Sequence, residues 1–173
     1  MKPSLMLFPL VIAVVIIAIF FINPQIPAPA QQIPIQNTTT FNTCQGSAAC
    51  FSSWVTKIVD GDTLDVENTL LDINSTRIRL ALTNTPERGQ PGWAEATAFT
   101  KQMCPVGSMV HIDEDDGQIE GSYGRMIAKV TCGEKVVNAE LLSAGHAVIS
   151  TNFCNESEFA TENWAQQFGC SLT

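Results

Sequence analysis

Three short stretches carry side chains that could handle a phosphate and a hard cation. They are Asp60-Gly61-Asp62-Thr63, Arg79 with Asn84-Thr85-Pro86-Glu87, and Tyr123-Gly124-Arg125. Taken singly, each has an ordinary explanation. An Asp-Gly-Asp sequence is usually only a turn whose side chains bond their own backbone, and an arginine on a strand is usually a solvated edge residue. Together they offer hard oxygen ligands suited to calcium (Ca²⁺), two planar guanidinium groups suited to a phosphate, and a carboxylate available as a base. That is the inventory of a metal-assisted phosphodiesterase.

These stretches must be held at the ends of regular elements. Trp54 to Val59 alternates and is β-branched, which predicts a strand, and Thr63 to Val66 a second one after the Asp60–Asp62 turn. Arg77 to Leu82 reads as a third. A helix is predicted from Trp93 to about Cys104 with Ala96, Phe99 and Met103 on its buried face, stopped by Pro105 and Gly107. Met109–Ile112 and Met126–Val130 read as two more strands. Val137, Leu141 and Ala144 mark a second helix ending at Gly145. A last helix is predicted from about Glu156 to Phe168, with Ala160, Trp164 and Phe168 on one face and Asn155 and Glu158 at capping-box spacing. Five short strands before and between helices suggest a small barrel with helices packed on it.

From Trp54 to about Phe153 the chain resembles the staphylococcal-nuclease-type (thermonuclease) family. The motifs above occur in the family's order, with Ala94-Glu95-Ala96-Thr97-Ala98-Phe99-Thr100-Lys101 in the first helix and Val137-Asn138 and Ala144-Gly145 about the second. The resemblance implies an α+β, mainly β fold: a five-stranded OB-type barrel with three packed helices, here preceded by an N-terminal apolar segment. It also implies a Ca²⁺-dependent nuclease cutting DNA and RNA at the 5′ side of the phosphorus. Asp62, position 84 and the carbonyl of Thr85 would then hold the metal. Glu87 would be the general base, and Arg79 and Arg125 the clamp on the phosphate. Tyr123 and Phe153 would contact substrate.

The chain departs from the family in four places. Asn84 stands where aspartate is usual, which removes one formal charge from the calcium site. Gly121 and Ser122 stand where a well-known member has an aspartate and a lysine before the tyrosine. Thr151 and Phe153 match an aromatic pair, so one stacking partner is missing. The connection between the second and third strands is a few residues longer.

Composition limits the alternatives. With 9 Lys and Arg against 17 Asp and Glu, the net charge is −8, which excludes a basic protein that holds nucleic acid by charge alone. Leu5 to Ile22 is an 18-residue apolar run with one proline and no charge, preceded by Lys2. A transmembrane anchor needs roughly 17–25 such residues, whereas a cleavable signal core has about 7–15. Residues 1–22 are therefore expected to be an anchor or a signal segment, with the rest exported in either case. Residues 23–52, rich in Pro, Gln and Thr, read as a solvated linker. Residues 53–153 read as the nuclease-like domain, and 154–173 as a disulfide-stapled helix packed on it.

Six cysteines after an export signal read as disulfides. Many pairings are possible; proximity suggests Cys44–Cys50 and Cys154–Cys170, which leaves Cys104–Cys132. Zinc is disfavoured because no tight Cys-x-x-Cys pair occurs. Asp113-Glu114-Asp115-Asp116 reads as a solvated acidic loop before it reads as a second cation site. His111 and His146 have no partner pattern and read as structural. Trp54, Trp93 and Trp164 read as packing residues.

The leading expectation is thus an exported, membrane-anchored or secreted nuclease acting on nucleic acid, with Ca²⁺ as cofactor and no protein partner indicated. The alternative is an OB-type nucleic-acid-binding module at the cell surface, catalytically weakened at Asn84. A stable single-strand binder needs a positively charged groove, and the acidic balance therefore favours the enzyme. A purely structural envelope protein would leave Arg79, Glu87 and Arg125 unexplained.

Overall fold

The computed structural model describes residues 44–67, 75–119, 121 and 123–171. The apolar leader, most of the linker, the connection at 68–74 and Ser122 lie outside the described residues. Among the described residues no helix is long and apolar enough to cross a membrane.

Alternation of apolar and polar residues builds the barrel. Its strands are β1 (Cys50–Ile58), β2 (Thr63–Val66), β3 (Thr76–Leu80), β5 (Met109–Glu114) and β6 (Met126–Cys132), with the two-residue β4 (Thr83–Asn84) between β3 and β5. The order is β3-β2-β1-β5-β6, and a parallel pairing of β3 with β6 closes the cylinder. Val55, Leu64, Ile78, Leu80, Ile112, Ala128 and Val130 point inward and form the core. The arrangement is the five-stranded OB-type barrel with three helices that the sequence predicts.

Helix α1 (Trp93–Met103) follows the predicted span. Its most buried residues are Ala96, Thr97 and Thr100, while Phe99 and Met103 are only partly buried against the core. Close packing is the reason: a side chain at Gly61 would meet Ala96 and Thr85 at 2.8 Å, so only small residues fit where the helix crosses the turn. The Thr100 hydroxyl donates to the Gly61 carbonyl at 2.6 Å, tying the helix to the Asp-Gly-Asp turn.

A two-residue strand β7 (Lys135–Val136) leads into α2 (Val137–Ser143). Asn138 on α2 is fully buried and holds the barrel seam. Its amide nitrogen donates to the carbonyls of Ala81 (2.9 Å) and Ala128 (3.3 Å), and its side-chain oxygen accepts from Val130 N–H at 3.0 Å. Strand β8 (Val148–Ile149) pairs with β4 in a second small sheet that the sequence reading did not foresee.

The last predicted helix is instead two pieces, a 3₁₀ turn at Glu158–Thr161 and α3 (Asn163–Gln167). Between them Glu162 is extended, with φ −69° and ψ 146°. A long-range contact overrides the local helical pattern: the Glu162 carboxylate accepts from Lys129 Nζ at 2.6 Å and from Gln45 and Trp164 side chains. The cap is Ser157, whose hydroxyl oxygen accepts from Phe159 N–H, and not Asn155. Phe159, Ala160 and Ala165 pack with Ala81, Leu82 and Ile127 into a second core outside the barrel.

Within the expected linker, the described residues 44–52 are ordered: β1 begins at Cys50, and residues 45–49 are strapped down. The acidic run is the strap's anchor. Gln45 N–H donates to Asp113 at 3.1 Å, Ala49 N–H to Glu114 at 3.2 Å, and Ser47 and Ala48 N–H to Asp116 at 2.7–2.9 Å. Those amides hold the Asp116 carboxyl below its ordinary range. Asp115 accepts from Glu158 N–H at 3.2 Å. The carboxylates thus clasp the segment before β1 and the backbone at Glu158 instead of standing as a solvated face.

Lys129 is the cation of this clasp. It lies opposite Asp113 across β5 and β6, bonds Asp113 at 3.2 Å as well as Glu162, and sits 4.6 Å from the Phe159 ring centre. Removing one partner of a buried ion group leaves uncompensated charge, at a cost of about 3 kcal/mol or more. Lys129→Met should accordingly lower stability by about 3 kcal/mol in urea unfolding. An unchanged midpoint would mean that the clasp adds nothing to the fold.

The disulfides are Cys44–Cys50, Cys104–Cys132 and Cys154–Cys170. Cys104–Cys132 ties the end of α1 to the end of β6, and both its cysteines are buried.

Candidate active site

Barrel closure explains how two distant arginines meet. Parallel pairing places Arg79 beside Ile127, two residues after Arg125. Inward residues of β6 are Met126, Ala128 and Val130, so Arg125 and Ile127 face outward, as Arg79 does on β3. Both guanidinium groups enter one cleft of 620 Å³. Its walls include Ile127, the 116–119 segment, Ser150, Phe153 and Glu156.

Arg79 is the centre of the hydrogen-bond network. The chain turns sharply after β3, with Leu82 at φ 57°, and Arg79 Nη1 caps that turn by donating to the carbonyls of Leu80 (3.0 Å) and Thr83. Its Nη2 donates to Asn84 Oδ1 at 3.1 Å and pairs with Asp62 at 3.2 Å. Burial pulls the guanidinium below its ordinary value, Asp62 opposes that, and the neighbouring Arg125 adds to it.

Asp62 is buried, and Thr85 fixes it. Thr85 N–H and hydroxyl donate to one carboxylate oxygen at 2.6 and 2.8 Å, and Thr63 hydroxyl to the other at 3.2 Å. Asp62, Arg79, Asn84 and Thr85 therefore converge. Glu87 stands on the exposed loop that follows, its carboxylate near enough to support the charge on Arg79. Its backbone is held by Gln90, whose side-chain oxygen accepts from Glu87 N–H at 2.9 Å.

The two aromatic residues separate. Phe153, in a 3₁₀ turn at Thr151–Phe153, lines the cleft and is 43% exposed. Tyr123 is 98% exposed at φ 54° and lies across Arg125, with its ring centre 5.8 Å from the guanidinium. It borders a shallower depression with Asp65, Ser75 and Arg77. Arg77 is paired to Asp65 by two hydrogen bonds at 2.7 and 3.0 Å.

Asp60 is a further candidate, absent from the ligand set that the sequence suggests. Its side chain accepts from Asp62 N–H at 3.2 Å. Burial raises its carboxyl above the ordinary range, and the charge of Asp62 raises it further. Two carboxylates two residues apart were the signal in the sequence. The oxygens of Asp60, Asp62, Asn84 and Thr85 are of the hard type that a divalent cation takes.

Trp54 departs from its expected packing role, being 45% exposed on the outer face of β1. Trp93 carries Arg88 over its ring at 5.4 Å, and Trp164 packs against the second core. His146 sits against Phe99 at 4.8 Å between ring centres.

A family model described as staphylococcal nuclease homologue matches residues 77–168, which contain Arg79, Asn84, Glu87 and Arg125. An uncharacterized protein of Bacillus anthracis is 32% identical over 105 residues, which are 57% of this chain and 47% of that protein. The chain thus spans about half the length of that relative. Because the family match covers more than half of the sequence, from β3 through α3, the chain belongs to the staphylococcal nuclease homologue family, whose members are generally nucleases.

Proposed function

We propose that this protein is an exported nuclease that hydrolyses phosphodiester bonds of DNA, RNA or both with Ca²⁺. The observation that carries the reading is the pair of guanidinium groups in one cleft beside a buried carboxylate. Arg125 and Arg79 donate to the phosphate oxygens and to the charge that develops on them. The Leu80 and Thr83 carbonyls fix the plane of Arg79 before substrate arrives. Glu87 takes the proton of the attacking water. Phe153 and Tyr123 flank the bound strand on either side of Arg125. Asp62, Asn84 and the Thr85 carbonyl would hold the metal, with Asp60 adding negative charge. When bound, Ca²⁺ supplies Lewis-acid polarisation of the phosphoryl group. Export, with membrane anchoring or release, is supported by the Leu5–Ile22 run and by three disulfides.

The direct test incubates the full-length chain with single-stranded DNA and with RNA, in Ca²⁺ or in EGTA. Cleavage that needs Ca²⁺ supports the reading. Retention of either polymer without cleavage in Ca²⁺ would point to the weakened binding module.

Asp60 gives a second prediction. Its folded-state pKa is raised, so the folded protein holds that proton more tightly than the unfolded chain. The associated stability is present in acid and is lost as pH rises from the ordinary aspartate range through the folded value. At neutral pH the charge on Asp60 therefore lowers the stability of the metal-free protein. Asp60→Asn, which keeps the acceptor oxygen, should raise Tm without calcium and shrink the rise in Tm that calcium produces. An Asp60→Asn protein with the wild-type calcium response would separate Asp60 from the metal site.

A further inference from the structure

His111 lies against the Cys44–Cys50 disulfide, well away from the arginines in the sheet. Residues 52 and 111 are register partners across β1 and β5, which brings the imidazole beside the start of β1. Its Nε2 is 3.2 Å from Cys44 Sγ and 3.6 Å from Cys50 Sγ. On the other edge of the ring, Nδ1 is 3.3 Å from the Ser52 hydroxyl. Among the described residues, this is the one group of three Cys, His or carboxylate ligands whose donor atoms fall within 4.8 Å of one another.

We propose that opening the Cys44–Cys50 disulfide creates a zinc site made of the two thiolates and His111 Nε2. The chemistry of the three groups favours a soft or borderline cation such as Zn²⁺ over Ca²⁺, because thiolate and imidazole replace hard oxygen. In the tautomer that carries its proton on Nδ1, the Ser52 hydroxyl accepts that proton and the Nε2 lone pair faces the sulfurs, the arrangement that orients histidine ligands in metal sites. In the oxidised protein burial holds the imidazole below its usual range. Cys50 is exposed and Cys44 half-buried, which leaves a fourth position open to water.

The same exposure makes this disulfide the one a reductant reaches. Cys104, Cys132, Cys154 and Cys170 are all buried at 9% exposure or less. Exchange rates depend on access to the sulfur and on stabilisation of the leaving thiolate. With a phosphine as reductant, phosphorus gives two electrons to the disulfide and takes oxygen from water. The S–S bond breaks, and the two protons of that water end on Cys44 and Cys50. Zinc then displaces both protons as the two thiolates bind. The strap that carries Cys44 is hydrogen-bonded through Ser47 and Ala48 to Asp116, a wall residue of the arginine cleft.

The test treats the folded full-length chain with limiting phosphine, alkylates free thiols and maps the labelled peptides. Cys44 and Cys50 should be labelled before the other four. After removal of phosphine, the reduced protein should take up one Zn²⁺ per chain, competed against a chromogenic chelator, while the oxidised protein takes up none. His111→Gln should lower zinc affinity by more than about tenfold, the scale that even outer partners of a metal ligand contribute. The wild-type comparison of oxidised and reduced protein stands even if a variant folds poorly. Opening of another disulfide first, no zinc uptake after reduction, or equal affinity in folded His111→Gln would overturn the proposal.

Discussion

Arg125→Ala should lower kcat by about 10²–10³ while leaving the fold intact, the usual loss for one donor aimed at developing charge. Arg125 is half-exposed at the mouth of the cleft. Arg79→Ala should lose at least as much rate and also lose stability. Its guanidinium bonds two turn carbonyls and Asn84 and neutralises the buried Asp62. Removing it leaves a buried carboxylate without its cation. The two arginines therefore separate in one experiment. Both variants fail in steady-state kinetics, and only Arg79→Ala shifts the thermal unfolding curve. Near wild-type kcat in Arg125→Ala would remove that residue from the phosphate clamp.

Glu87→Gln should abolish most of the rate with little change in calcium binding, since it removes the base and keeps the shape. Asn84→Asp works in the opposite direction. An amide oxygen offers calcium a dipole where a carboxylate offers a full charge, and affinity rises with ligand charge. The wild type should need more Ca²⁺ for half-maximal cleavage than Asn84→Asp. The structure adds a second reason, for Asn84 Oδ1 also accepts from Arg79 and is shared between the two demands. Calcium titrations of activity and of binding on the three proteins decide the matter. An unchanged requirement in Asn84→Asp would take position 84 out of the ligand set.

The barrel was legible because its strands alternate in short, turn-bounded runs, as in Thr63–Val66, whose predicted and observed limits coincide. The arginines were legible as residue types, but their meeting depends on the parallel β3–β6 pairing, which no local pattern encodes. Long-range partners account for the misreadings. Glu162 breaks a helical pattern because Lys129 and Gln45 reach it from the barrel and the strap. The acidic run looks solvated in sequence because its partners are backbone amides of residues 45–49, more than sixty positions away. His111 had no visible partner for the same reason, being brought to Cys44 and Cys50 only by the β1–β5 register. Asp60 was visible beside Asp62, yet its raised carboxyl comes first from burial, which spacing does not report.

The central claim is that the Arg79–Arg125 cleft hydrolyses phosphodiester bonds with the help of a hard cation. Single-turnover cleavage of an end-labelled oligonucleotide, with wild type and Arg125→Ala compared across a Ca²⁺ titration, tests it most directly. The account predicts cleavage by the wild type that rises with Ca²⁺ and stops in EGTA, with a rate about 10²–10³ lower in the variant. Equal rates in the two proteins, or no cleavage by folded wild type at saturating Ca²⁺, would contradict it.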